Sequence, residues 1–250
     1  MDLLVVGAGE MGRWVADTVE ATVAFADRDL AVARDAAGAR DTRAVDPDTT
    51  ETFDVVCLAV PMSAVPDAVD AYADNVGEAV FDVSGAMAEP VAALRAACPD
   101  AQRASFHPLF APPRVPGNVA AVIDAGGPLI DAVVDDVEAG GNDVFETTPE
   151  EHDRAMETVQ AGTHAAILAW RLAGEDVREE FHTPISGALD DLADTVTEGS
   201  PAVYAEIQRA FDGADAVADA ARDLADADPE AFAALYEAAR GERDARDRHD

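Results

Sequence analysis

The first 148 residues alternate short runs of β-branched and other apolar residues with segments whose apolar residues recur at helical spacing. Seven runs predict strands, at 3–7, 22–27, 53–60, 79–84, 103–107, 118–124 and 143–148. Helix-length segments lie between most of them, such as 11–20, 63–75, 88–97 and 128–139. Because parallel strands need crossover connections, this alternation predicts an α/β fold with a mostly parallel sheet that helices cover on both faces.

The pattern changes after Pro149, where alanine, leucine and carboxylates at helical spacing replace the strand-like runs. A threonine and a proline open the stretch TPEEHDRAMETVQAGTHAAILAWRLAG, and further helices are predicted at 183–198, 201–226 and 229–240. We therefore predict an α/β domain over 1–149, an all-helical domain over 150–241 and a frayed charged tail over 242–250. The helical domain has few large apolar residues, so we expect its alanine-lined faces to be buried in a homodimer.

The charge of the chain is extreme. It has 51 acidic and 17 basic residues, a formal net charge of −34, and every basic residue is an arginine. The acidic residues are spread along the whole chain, which indicates a solvated acidic surface adapted to the salt-rich cytoplasm of a halophile. Such a surface repels phosphate backbones and anionic lipid, so we expect neither a nucleic acid nor a membrane as partner.

Signals for export are absent from the sequence as given. The N-terminus lacks a basic region, and no stretch approaches the roughly 20 apolar residues that a membrane span needs. Two cysteines, Cys57 and Cys98, provide neither a disulfide framework nor a zinc site. We expect a cytoplasmic protein that holds no metal.

A glycine fingerprint follows the first predicted strand, in the sequence LLVVGAGEMG. Gly7 permits a tight turn, Gly9 lets a pyrophosphate approach the backbone, and Gly12 lets the following helix pack close to the strand. Glu10 and Met11 lie inside the fingerprint and are predicted to contact the same cofactor. Strand, glycine turn and helix together predict a Rossmann-type dinucleotide site, with the pyrophosphate at the helix N-terminus.

The second predicted strand ends in Asp27, twenty residues after Gly7. A carboxylate at this place accepts hydrogen bonds from ribose hydroxyls and repels a 2′-phosphate, so the expected cofactor is NAD, with NADP less favoured. The neighbouring Arg28 weakens that preference, because it can pair with a phosphate. Val60 and Pro61, at the end of a later strand, are expected at the same cofactor-facing edge.

The absence of lysine excludes several enzyme classes with this layout. The β-hydroxyacid dehydrogenases, ketopantoate reductases and short-chain dehydrogenases all depend on a lysine. Acid–base chemistry must therefore come from histidine, a carboxylate or tyrosine, and histidine titrates closest to neutral pH. His107, in RASFHPLF, is the most constrained histidine, because Pro108 follows it and apolar residues flank it.

These motifs together resemble the prephenate/arogenate dehydrogenases. The resemblance covers nearly the whole chain in order, through VVGAGEMG, LAVP, DVSG, SFHPLFAP, EEHDRAMETVQAGTHA and SPAVYAEI. HPLF and EEHD are its specific elements, since all Rossmann enzymes share the glycine fingerprint. The family's motif after the strand reads D-x-x-S-V-K, and this chain departs from it, with its serine displaced to Ser84 and no lysine.

The resemblance implies roles for individual residues. His107 would accept the proton of the substrate's ring hydroxyl, with Ser84 as a second catalytic residue. The helical domain would line the substrate pocket through His164, which is four residues from Gln160 and so shares its helix face. Arg154 is our choice among the arginines for the substrate carboxylate, with Arg171, Arg178 and Arg209 open as alternatives. His152 would cap its helix or bridge the domains.

The expected function is therefore NAD-dependent oxidative decarboxylation of prephenate to 4-hydroxyphenylpyruvate, or of arogenate to tyrosine. Two alternatives stay open. One is another NAD(P)-dependent reductase of the same two-domain layout, and the other is a catalytically silent NAD-binding protein. The helix before SPAVY lacks the arginine that the family places there, which is the best support for the silent protein.

Overall fold

The computed structural model describes residues 1–40, 42–175 and 177–241, and it contains one eight-stranded sheet. The sheet order is β3-β2-β1-β4-β5-β6-β7-β8. The strands are β1 (Asp2–Val6), β2 (Thr22–Ala26), β3 (Arg43–Ala44), β4 (Phe53–Leu58), β5 (Val76–Asp82), β6 (Gln102–Pro108), β7 (Asn118–Ala125) and β8 (Asp143–Glu146). All seven predicted strands are present. The sequence did not predict β3, because two residues are too few to show a strand pattern.

Most strand pairs are parallel, which confirms the predicted α/β class and its mostly parallel sheet. The exception is β7, which runs antiparallel to β6. The β6–β7 connection carries no long helix, only a short 3₁₀ turn at Pro112–Arg114, so the chain returns along the same edge instead of crossing over. Helix α5 (Pro128–Ala139) then connects β7 to β8, and these two strands pair in parallel and complete the sheet.

Helices cover both faces of the sheet. They are α1 (Glu10–Thr18), α2 (Leu30–Gly38), α3 (Val65–Tyr72), α4 (Ala88–Ala97) and α5. Residues 3–6 of β1 are all apolar because both faces of the strand are buried: Leu3 and Val5 pack into one core cluster, and Leu4 and Val6 pack into another. A strand buried on both faces has no polar position to alternate with.

The carboxyl ends of the central strands meet at one edge. Val6 is in register with Leu58, Leu58 with Asp82, and Asp82 with Ser105. The loops that follow β1, β4 and β5 therefore emerge side by side, and the end of β6 lies beside them. Ligands bind at this edge of open α/β sheets.

The chain divides into two compact units, Met1–Ala155 and Met156–Asp250. Helix α6 (Pro149–Met156) begins where the sequence predicts the helical region to begin, and it belongs almost entirely to the first unit. A π-helical segment (Glu157–Gly162) and α7 (Thr163–Ala173) follow in the sequence. The later helices are α8 (Pro184–Thr197), α9 (Pro201–Ala210), α10 (Gly213–Asp226) and α11 (Pro229–Gly241).

The single helix predicted over 201–226 is wrong, because the chain breaks between α9 and α10. Phe211 adopts an extended conformation, with φ −134° and ψ 136°, and its side chain is buried. Burial of this aromatic ring outweighs helical continuity. The predicted tail over 242–250 lies outside the described residues. In the part of the chain that is described, no helix has both the length and the apolar character needed to cross a bilayer.

Candidate active site

The glycine turn after β1 is built by close backbone contacts. Gly7 has φ +95°, and a Cβ atom there would lie 2.2 Å from the carbonyl oxygen of Ala59. A Cβ at Gly12 would lie 1.9 Å from the carbonyl oxygen of Gly7, so only glycine lets α1 approach the turn. Gly9 differs, since a Cβ there would have no atom within 4 Å. The open space beside Gly9 is what a pyrophosphate would require.

The surrounding residues fit a dinucleotide. Helix α1 begins at Glu10 with Gly9 as its N-cap, so its first N–H groups face the turn. Asp27 closes β2, and its two carboxylate oxygens accept hydrogen bonds from the backbone N–H groups of Ala8 and Asp29, both at 2.9 Å. A carboxylate accepts about four hydrogen bonds, which leaves capacity for ribose hydroxyls.

The other predicted cofactor residues occupy the same edge. Met11 lies in the first turn of α1 and is half-buried, and Arg28 is exposed directly after Asp27. Val60 follows β4 and is half-buried, while the exposed Pro61 caps a short 3₁₀ turn. The geometry thus brings all predicted cofactor residues to the carboxyl ends of β1, β2 and β4.

His107 lies near the end of β6 and is part of a buried hydrogen-bonded chain. Its Nδ1 is 2.8 Å from Nε2 of His152 in α6. The Nδ1 atom of His152 is 2.8 Å from Oδ1 of Asp153. His107 and His152 are only 7% and 3% exposed. The carboxylate of Asp153 also accepts the backbone N–H groups of Met87 and Ala88, each at 3.0 Å, at the start of α4.

Burial and neighbouring groups set the charges of these hydrogen-bonded side chains. The pKa of His107 is lowered to about 3, first by burial and then by the nearby His152, while Asp153 acts in the opposite direction. His107 is therefore neutral at physiological pH. Although burial favours its neutral form, Asp153 has a pKa below its ordinary value, because His152 and two backbone N–H groups donate to its carboxylate. The Asp153 side chain is accordingly an anion.

In the loop after β5, the residue that faces Nε2 of His107 is Gly85 and not Ser84. The hydroxyl of Ser84 donates to the carbonyl of Ala86 at 2.8 Å, within the loop. A Cβ at position 85 would instead lie 3.6 Å from Nε2 of His107 and 2.9 Å from Sδ of Met62. The described contacts thus use the Ser84 hydroxyl to shape the loop, and its predicted catalytic role stays a prediction.

Asp82 anchors the same loop from inside the sheet. It is fully buried, and Oδ1 accepts the backbone N–H of Ser84 at 3.0 Å. Burial raises the pKa of Asp82 to about 6, and the hydrogen bond from Ser84 limits that rise. Like His107, this carboxyl group is therefore a titratable group whose pKa burial shifts strongly at this edge.

The helical unit holds the other predicted substrate residues. Gln160 lies in the π-helical segment, a form that is frequent at functional sites. His164 follows it in α7, and its ring packs edge-on against Tyr204 at 4.7 Å between centroids. Nδ1 of His164 is buried and has no hydrogen-bond partner among the described residues, and burial lowers the pKa of this histidine. Such an atom is suited to receive a ligand.

The arginine candidates differ in their surroundings. Arg154 is exposed in the last turn of α6. Arg171 is paired with Asp190 and Asp194, and Arg178 stacks over the ring of Phe181. Existing partners make Arg171 and Arg178 weaker candidates than Arg154 for a substrate carboxylate.

Sequence reasoning missed two features of the site. It did not connect His152 and Asp153 to His107, although the adjacent His-Asp pair in EEHD was visible. It also predicted a role for Ser84 and none for Gly85, the glycine that follows it. Both contacts join residues far apart in the sequence, so only the folded chain shows them.

Comparisons with known proteins agree with the fold and show the family. No protein-family model matches the chain. A protein of Streptomyces pristinaespiralis named 4-amino-4-deoxyprephenate dehydrogenase is 34% identical over 266 residues, covering 96% of this chain and 90% of that protein.

Two solved structures share the fold at low identity. Prephenate dehydrogenase of Aquifex aeolicus, in complex with hydroxyphenyl propionate and NAD⁺, has a TM-score of 0.74 at 17% identity and covers 100% of this chain and 98% of its own. Arogenate dehydrogenase of Synechocystis has a TM-score of 0.64 at 16% identity, and the match covers 98% of this chain and 99% of that protein. With a relative this similar along almost its whole length, and with the glycine turn and buried histidine in place, the chain belongs to the prephenate/arogenate dehydrogenase family of oxidoreductases.

Proposed function

We propose that the protein catalyses the NAD-dependent oxidative decarboxylation of prephenate to 4-hydroxyphenylpyruvate or of arogenate to tyrosine. The observation that carries this proposal is His107, a buried and neutral imidazole at the ligand-binding edge of the sheet. A neutral imidazole can take the proton of a ring hydroxyl through Nε2. Loss of CO₂ then leaves an aromatic ring, which makes the reaction effectively irreversible.

NAD⁺, when bound, supplies the hydride acceptor. Gly7, Gly9 and Gly12 would admit its pyrophosphate to the N-terminus of α1. The Asp27 carboxylate would accept the ribose hydroxyls and repel a 2′-phosphate, which supports NAD over NADP. Glu10, Met11, Arg28, Val60 and Pro61 would complete the contacts at the same edge.

The substrate would be held by residues that follow Pro149 in the chain. His164 would donate or accept through its buried Nδ1 atom, and Gln160 would contribute its carboxamide. Arg154 is our proposed partner for a substrate carboxylate, because a guanidinium pairs with a carboxylate through two hydrogen bonds. Ser84 would act indirectly, by shaping the loop that faces His107.

A second candidate substrate carries an amino group in place of the ring hydroxyl, as the name of the Streptomyces relative suggests. Gly85 favours this candidate, because the position that faces Nε2 of His107 has no side-chain donor. A hydroxyl oxygen gains from a donor through its two lone pairs, whereas a neutral amino group offers two N–H donors and needs acceptors.

The test is NADH formation with prephenate, arogenate and 4-amino-4-deoxyprephenate, each offered with NAD⁺ and with NADP⁺ in concentrated salt. Wild type and His107→Asn are compared. We expect turnover with NAD⁺ and a loss of roughly 10²-fold or more in the variant. Unchanged activity in the variant would support another reductase of the same layout. NAD⁺ binding without turnover on any of the three would support the silent protein.

The expected setting of the enzyme completes the proposal. We propose a homodimer formed through the helical unit, in the cytoplasm of a halophile. Large exposed apolar residues in that unit support the dimer, and the net charge of −34 supports the salt-rich setting. Stability that rises steadily with KCl concentration would support the halophilic origin, and maximal stability at low salt would contradict it.

A further inference from the structure

We propose that His152 and Asp153 are positioning residues that fix His107 in one tautomer and share the charge that it acquires. This inference rests on the proposed function for its kinetic consequence only. Its structural content is the hydrogen-bonded chain Asp153–His152–His107, which joins the first turns of α6 to the end of β6.

The chain has a defined direction, which begins at Asp153. The carboxylate accepts N–H groups from Met87 and Ala88 and is an anion, so it must also accept from Nδ1 of His152. In the proposed scheme His152 has a single ring proton, on Nδ1, and presents a lone pair at Nε2. That lone pair accepts from Nδ1–H of His107, 2.8 Å away. The proton of a neutral His107 is therefore on Nδ1.

The consequence lies at the opposite side of the His107 ring. With Nδ1 protonated, Nε2 is the hydrogen-bond acceptor, and it is the ring atom that faces position 85. An acceptor at Nε2 is what a proton-abstracting base requires. The reverse tautomer would present an N–H at the same place and could not take a proton.

The same chain stabilises the product of proton transfer. An imidazolium at His107 keeps its hydrogen bond to His152, and the half-buried Asp153 carboxylate is hydrogen-bonded to the other ring nitrogen of His152. Burial alone disfavours this cation, so a nearby anion offsets part of the cost. The anion is fixed by α4, since Asp153 accepts from both residues at the start of that helix.

Asp153→Asn tests the direction of the chain. An amide N–H at this position can donate to Nδ1 of His152, which moves the His152 proton to Nε2 and forces the reverse tautomer on His107. We expect kcat to fall by about 10²- to 10⁴-fold, with KM and the Kd for NAD⁺ within about threefold of wild type. Glu150→Gln is the matched control, because it neutralises an exposed carboxylate of the same helix. It should leave kcat unchanged.

A spectroscopic readout separates positioning from a merely structural role. Protein labelled with ¹⁵N in its imidazoles should show His107 protonated at Nδ1 and bare at Nε2, with the signals assigned by their loss in His107→Asn. Asp153→Asn should reverse this pattern. Since the measurement needs no substrate, it decides the tautomer even if none of the three candidate substrates is turned over.

Two results would overturn the proposal. One is a wild-type His107 that carries its proton on Nε2, and the other is an Asp153→Asn protein with normal kcat. His152→Gln serves if Asp153→Asn does not fold, because its carboxamide oxygen can still accept from Nδ1–H of His107. It should keep the tautomer and lose only the shared charge, with a fall in kcat of about 10-fold, and a reversed tautomer in it would contradict the scheme.

Discussion

The two compact units bury their apolar residues in different ways. In Met1–Ala155 the strands are covered on both faces, and the largest buried side chains, such as Phe25 and Phe81, are essentially inaccessible. In Met156–Asp250 the buried core cluster is small, and Leu172 and Ile185 are 84% and 77% exposed. A sheet with helices on both faces completes its own core, whereas short helices with alanine-rich faces do not.

Each unit contains one of the two tryptophans, Trp14 in the first and Trp170 in the second. Trp170→Phe leaves fluorescence that reports on the first unit, and Trp14→Phe leaves fluorescence that reports on the second. These backgrounds allow the stability of each unit to be followed separately.

The largest effect is expected from Gly12→Ala in the first unit. Its Cβ would lie 1.9 Å from the carbonyl oxygen of Gly7, so the turn or α1 must shift. We expect a loss of about 3 kcal/mol or more in the free energy of unfolding, and loss of measurable NAD⁺ binding. Denaturant unfolding in the Trp170→Phe background and calorimetric NAD⁺ titration provide the measurements.

Gly9→Ala is the control for that prediction, since its Cβ meets no atom within 4 Å. Its free energy of unfolding should stay within about 1 kcal/mol of the parent. The Kd for NAD⁺ should still rise about 10-fold or more, because the methyl group occupies the space proposed for the pyrophosphate. Unchanged NAD⁺ affinity would contradict the proposed cofactor position.

In the helical unit, Gly213→Ala should be the most damaging comparable change. A Cβ there would lie 1.7 Å from the carbonyl oxygen of Glu157 in the π-helical segment. We expect a loss of about 3 kcal/mol in the Trp14→Phe background. Gly187→Ala, in α8 with open space around it, should instead stabilise the unit by about 0.5–1 kcal/mol. Equal effects of the two changes would show that the α10 contact with the π-helical segment is unimportant.

Asp82→Asn should stabilise the first unit at neutral pH. Because its folded pKa of about 6 exceeds the ordinary value of 3.8, the carboxyl group contributes stability below about pH 4 and loses it as the pH rises through 6. An amide never ionises, so the variant should gain about 2–3 kcal/mol above pH 7 and nothing below pH 4. Unfolding free energies across this range test it, with Asp70→Asn, at an exposed position of α3, as the control.

Leu172→Glu combined with Ile185→Glu should have the smallest effect on folding stability. The expected change is in the oligomeric state. Charge at these two exposed apolar positions should convert a dimer to a monomer, as light scattering after gel filtration would report, while the first unit keeps its stability. Phe145→Glu on β8 is the matched control, because Phe145 is an exposed apolar residue of the first unit. A monomeric wild type would contradict the proposed dimer.

Sequence patterns predicted the sheet well and the helical unit less well. Strands buried on both faces are marked by continuous apolar runs, and glycine and proline punctuate them, so all seven predicted strands are found. In the helical unit the only signal was a 3.6-residue period of apolar residues, and this period continues across positions where one helix ends and the next begins. The sequence therefore did not show the π-helical segment or the extended residue at Phe211.

The sequence by itself determined the glycine turn, the acidic residue after β2 and the importance of His107, because each depends on residues adjacent in the chain. Tertiary structure decided what surrounds His107. Nδ1 of His107 meets His152, a residue 45 positions away in sequence, and Gly85 rather than Ser84 faces its Nε2. Hydrogen bonds between distant segments depend on how strands and helices pack, and no local pattern records that packing.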